Sequence, residues 1–94
     1  MKDLNYQLMK LCRDNRDGSF STQATRRRIL DLIANQLHEL GYRRMQAKSL
    51  KPKHIDALVS LWKERGISVG TFKNRLSALR WWANKVGKSD IIAK

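Results

Sequence analysis

An all-α fold, a bundle of four helices, is the architecture this sequence predicts. Three observations carry that prediction. Apolar residues recur at intervals of three and four along four separate segments, the period of a helix with one buried side. No stretch alternates apolar and polar residues as a half-buried strand would. One proline and five glycines among 94 residues leave few places where a helix must break. The length suits one domain, and a hydrophobic fraction of 41% supports a modest core.

The first helix is expected over 3–14, where Leu4, Leu8 and Leu11 stand at i, i+4 and i+7. Asn15-Arg16-Asp17-Gly18-Ser19 has the composition of a turn. The second helix is expected over 22–40, with Ser21 as its N-cap and Gly41 as its C-terminal cap. Ile29, Ile33, Leu37 and Leu40 line one side of it, with Leu30 beside them; Arg27, Arg28, Asp31, Asn35 and His38 take the other.

A basic connection follows, carrying Arg43, Arg44, Lys48 and Lys51. The third helix is expected over 52–65. Pro52 is tolerated in its first turn, and Leu50 sits just outside as a staple. Ile55, Leu58, Val59 and Trp62 form its apolar stripe and Gly66 ends it. Ser68 to Gly70 lead into the fourth helix, over 71–86, whose stripe is Phe72, Leu76, Leu79, Ala83 and Val86. Its Trp pair must split, because neighbours on a helix point about 100° apart. Trp82 can join the core. Trp81 shares its side with Asn74, Ser77, Lys85 and Lys88, flanked by Lys73 and Arg80.

Reactive groups are few. Cys12 is the one cysteine, which excludes a disulfide framework and reads as a buried, reduced thiol. His38 and His54 have no partner at metal-ligand spacing and read as solvated surface residues. No acidic pair, phosphate-cradling glycine loop or nucleophile elbow is present. Neither catalysis nor a cofactor is expected of this chain. No apolar run approaches the ~20 residues of a membrane span, and the N-terminus lacks a signal peptide's apolar stretch. A cytoplasmic location is therefore expected.

Charge is the strongest functional signal. Twenty Lys and Arg against eight Asp and Glu give a net charge of +12. Such an excess makes a folded chain repel itself and points to a polyanionic partner. Arg26, Arg27 and Arg28 occupy the start of the second helix; Thr71, Lys73, Asn74 and Arg75 occupy that of the fourth. Cations there oppose the helix dipole, so their position implies an external anion, most simply a phosphate. Asn74 suits a phosphate, a base edge or a neighbouring helix equally, and the stem of Arg75 can pack while its head reaches out. Three environments are open to Trp81: a second internal contact with helix one or two, a domain or protomer interface, or a nucleic-acid base. A membrane surface fits poorly, because no unburied apolar face opposes the basic residues.

Three blocks then resemble a known family: Ser21-x-x-x-Thr25-x-x-x-x-Leu30, Leu50-x-Pro52-x-His54-Ile55, and Gly66-Ile67-Ser68-x-Gly70-Thr71-x-Lys73-Asn74-Arg75-Leu76-Ser77-x-Leu79-Arg80. The order is similar to the N-terminal core-binding domain of tyrosine recombinases, the phage-type integrases, over about residues 3–88. The resemblance implies a SAM-like four-helix domain over 1–88, with 89–94 beginning a linker to a C-terminal catalytic domain. It also implies double-stranded DNA as partner, protomers in a recombination complex, and helices two and four against the duplex. The matching positions are Thr25, Arg26 and Arg28, then Thr71, Lys73, Asn74 and Arg75; Arg27, Arg43, Arg44, Lys48 and Arg80 extend the expected DNA contacts. Lys51 stands where the family places Thr or Ser before the proline of helix three. The family's catalytic set, an Arg, a His-x-x-Arg and a Tyr nucleophile, has no counterpart here, since no Tyr follows Tyr42. The alternatives are a helix-turn-helix regulator with helix four as recognition helix, and a basic module that docks RNA or an acidic protein.

Overall fold

A computed structural model describes residues 3–91. Its four α-helices are α1 (Asp3–Asp14), α2 (Phe20–Glu39), α3 (Pro52–Glu64) and α4 (Val69–Lys85). Single 3₁₀ turns lie at Ala47–Ser49 and Ser89–Ile91, and there is no strand among the described residues. The radius of gyration is 12.4 Å, the value a folded chain of this length should have, about 12 Å. Both the fold class and the four-helix bundle are as the sequence implied.

The helix starts differ from expectation. Ser19, not Ser21, caps α2: its Oγ accepts the Thr22 N–H at 3.2 Å, so the helix begins at Phe20. Ser68 caps α4 in the same way, accepting from the Thr71 N–H at 3.2 Å, and that helix begins at Val69. Lys51 has no acceptor to offer α3. The reverse half of a capping box stands in for it, as His54 Nδ1 accepts the Lys51 N–H at 2.9 Å. The C-terminal ends of α2, α3 and α4 share one device. Gly41, Gly66 and Gly87 adopt positive φ, and each amide bonds back to a carbonyl three residues earlier. The following residue then reaches back five, as in a Schellman motif.

The core is assembled from Leu4 and Leu8 of α1, Leu30, Ile33, Ala34 and Leu37 of α2, Ile55, Leu58 and Trp62 of α3, and Ala78, Leu79, Trp82 and Ala83 of α4. The α2 stripe leans toward Leu30 and Ala34 and away from the expected line. Ile29 is half-buried, and Leu40 is 40% exposed because it lies at the cap, beyond the last packed turn. Two corrections concern reactive side chains. Cys12 is half-buried on the flank of α1, and burial raises its thiol pKa, against opposing contributions from Arg26 and Arg27. His54, expected at the surface, is only 4% exposed, because it caps α3 from within and meets the Tyr42 ring edge-on at 4.6 Å.

The basic connection after α2 also belongs to the core. Met45, Ala47 and Leu50 are buried. Ala47 is pinned from two sides: its N–H donates to Gln7 Oε1 at 2.7 Å, and its carbonyl accepts the Trp82 indole N–H at 2.7 Å. Lys88 Nζ donates to the carbonyls of Lys48 and Leu50. The stretch expected to leave the domain at 89 therefore starts from an anchored Lys88, and Ile91 is half-buried against the core; residues 92–94 lie outside the described residues.

Candidate functional site

A groove of about 420 Å³ runs between α2 and α4. Spacing explains its lining. Thr22, Thr25, Arg26 and Ile29 stand at i, i+3, i+4 and i+7 on α2, with Ser21 at the edge; Asn74, Ser77, Ala78 and Trp81 repeat that spacing on α4. Ala78 is small and buried, so it brings the backbone of α4 close without filling the space above it.

Trp81 forms one wall and resolves the question its sequence position posed. The ring is half-buried, and its indole N–H donates to Asp17 Oδ2 at 2.9 Å. The Arg26 guanidinium lies 4.5 Å from the ring centroid and donates to the Asp17 carbonyl at 3.1 Å. Lys85 Nζ lies 2.7 Å from Asp17 Oδ2. Trp81 thus makes a second internal contact, with the start of α2 and the turn before it. The hydrogen bond from Lys85, followed by that from Trp81, holds the Asp17 carboxyl below its ordinary pKa. This carboxylate is already engaged by two donors, and Arg26 still has N–H groups with no acceptor among the described residues.

The start of α2 lies beside Trp81 and Lys85, in the second half of α4, and not beside Thr71. The two positive helix ends therefore do not meet; it is the flanks of the helices that share a surface. Among the expected site residues, Thr25, Arg26, Asn74 and Trp81 line the groove. Lys73, Ser77, Arg80 and Asn84 form one exposed stripe at i, i+4, i+7 and i+11, so Lys73 and Arg80 stand on the α4 rim next to Ser77. Arg28 is exposed in line with Ser21 and Thr25, on the α2 rim.

The remaining expected residues lie elsewhere. Arg27 lines a depression with Cys12, Arg13 and Arg16, between α1 and α2. Arg75 is half-buried, its guanidinium 5.5 Å from the Trp62 ring centroid. Thr71 serves the α4 cap, accepting the Ser68 hydroxyl at 2.9 Å. Arg43 and Arg44 border a separate concavity at the end of α2, and Lys48 is exposed on the connection. The residue that sequence reasoning missed is Asp17. No local signal ties it to Trp81, 64 positions away.

Among the described residues, no group of His, Cys, Asp and Glu is arranged to hold a metal ion, and no helix is long and apolar enough to cross a membrane. No curated protein and no solved structure matches the chain. A family model does: the one described as phage integrase, N-terminal, matches residues 1–92. That match takes in the whole of the bundle described above, from α1 through the turn after α4, and the chain belongs to the phage integrase N-terminal domain family.

Proposed function

We propose that this domain grips duplex DNA along the α2–α4 groove and holds it for a catalytic domain elsewhere in a cytoplasmic site-specific recombinase. One observation carries the reading. Thr25, Arg26, Asn74 and Trp81 converge on one groove that no carboxylate lines among the described residues, Arg28, Lys73 and Arg80 stand on its rims, and Asp17, beside Trp81, is already paired with Lys85. Hydroxyl, amide and guanidinium donors without a free carboxylate suit the acceptor oxygens of a phosphodiester backbone. Arg26 is held over the Trp81 ring and bonded to the Asp17 carbonyl, so less side-chain freedom is lost when its remaining N–H groups meet a phosphate.

A grip made largely of phosphate contacts is weak for one domain and falls steeply with salt. Titration of a duplex at several salt concentrations measures the slope of log K against log salt. Arg28→Ala, Lys73→Ala and Arg80→Ala should each lower that slope by about one unit. Arg27→Ala should leave it unchanged, since Arg27 faces away from the groove. Absence of binding at low salt, or binding without a salt slope, rules the reading out. Competition with structured RNA and an acidic polypeptide separates DNA from the other polyanions.

A further inference from the structure

A second concavity, of about 520 Å³, lies where the connection after α2 meets the start of α3. Arg43, Arg44, Lys51 and Lys53 line it, with Tyr42 and His54. None of these four cations is within ion-pair distance of a carboxylate among the described residues. Two of them, Lys51 and Lys53, stand at the positive end of α3, whose first turn has no acidic residue. That arrangement disfavours the folded state unless an anion is present.

His54 supplies an independent indication. It is 96% buried yet lines the concavity. Its Nδ1 accepts the Lys51 N–H, so in the neutral ring the proton resides on Nε2. Nε2–H has no acceptor among the described residues. Burial first, then Lys53, Lys51 and Lys88, favour that neutral form. A donor with no acceptor among the described residues thus shares the concavity with four cations that have no carboxylate partner there, one of which, Lys53, lies over the Tyr42 ring at 5.8 Å.

We propose that this concavity is a phosphate-oxyanion site, in which His54 Nε2–H donates to one oxygen while Lys51, Lys53, Arg43 and Arg44 balance the charge. It is distinct from the α2–α4 groove: Ile29 and Gly41 are separated by roughly 18 Å at 1.5 Å of helix per residue. The oxyanion has two sources, a backbone phosphodiester and a free phosphate, and they share this chemistry.

NMR of the labelled chain separates them. Inorganic phosphate is titrated at constant ionic strength against chloride, and a duplex in a second series, following His54 Nε2, the Lys53 amide, Asn74 and the Trp81 indole. Phosphate should shift His54 and Lys53 saturably and leave Asn74 and Trp81 in place. A duplex that moves both sets identifies the backbone as the source; one that moves only the groove set identifies free phosphate. His54→Glu keeps an acceptor for the Lys51 N–H but puts a carboxylate in the site, and should weaken phosphate binding at least tenfold with the fold intact. Lys51→Ala/Lys53→Ala should weaken it similarly without touching the histidine. The proposal is overturned if His54 does not shift saturably in either series, if chloride alone reproduces the shift, or if both variants titrate like the parent chain. A duplex that leaves Asn74 and Trp81 unmoved while phosphate moves His54 would instead count against the groove as the DNA grip and leave this site standing.

Discussion

Gln36 and Trp62 are both buried, and their hydrogen bond, indole N–H to Oε1 at 2.9 Å, ties α2 to α3. An amide on the buried side of a helix is expensive unless matched, and here the donor needs it as much as it needs the donor. Gln36→Met keeps the shape and strands the indole N–H, so urea unfolding should show a loss of about 1–3 kcal/mol. Adding Trp62→Phe should cost less than the two single changes summed, because the stranded donor is removed with it. His54 contributes in a different way. Its pKa lies below the ordinary 6.5, principally because it is buried. The unfolded chain therefore takes up this proton more readily than the folded one, and stability that is complete above about pH 6.5 declines as pH falls below it. Melting temperatures measured downward from about pH 7.5 should show that decline, and His54→Gln, which keeps a cap acceptor and does not titrate, should flatten it. Asp17 acts in a separate and lower window. Its folded pKa is depressed, so its contribution persists until pH falls through the carboxylate range.

The starts of α2 and α4 are built from one four-residue pattern, Ser19-Phe20-Ser21-Thr22 and Ser68-Val69-Gly70-Thr71. In each, the serine hydroxyl meets the threonine hydroxyl and accepts the threonine amide, and the residue after the serine is left exposed. The repeat is visible in the sequence, but Ser19 and Ser21 both precede the periodic stretch and neither has an acidic residue three places on. Geometry decides for Ser19: its backbone is extended, whereas Ser21 is already helical. Ser19→Ala should therefore destabilise the domain by about 1 kcal/mol in thermal or urea unfolding, with Ser21→Ala within about 0.5 kcal/mol of the parent. The Tyr42–Lys51 connection shows the opposite case. It reads as a basic loop, yet Met45, Ala47 and Leu50 belong to the core, because Gln7, Trp82 and Lys88 reach it from three directions. Periodicity has no purchase on a segment whose order comes from side chains 35 to 40 positions away.

For the whole molecule, a net charge of +12 with one close ion pair among the described residues means that repulsion outweighs attraction. Raising salt from about 0.1 to about 1 M shortens the screening length from roughly 10 to 3 Å. The melting temperature should rise across that range, while affinity for a duplex falls; a fall in both would show that attractive pairs hold the fold. The sequence by itself determined the all-α class, the number of helices, the glycine stops and the separation of Trp82 from Trp81, because each follows from a period or a cap that acts within about one turn. Tertiary structure alone decided which cations share a surface. Arg26 and Arg27 are adjacent in the chain, yet one lies on Trp81 in the groove and the other lies beside Cys12 and Arg13. Which neighbour each one meets depends on how α2 crosses α1 and α4. That crossing is set by the packing of Leu30, Ala34 and Ala78 against the rest of the core, and a helical repeat carries no record of it.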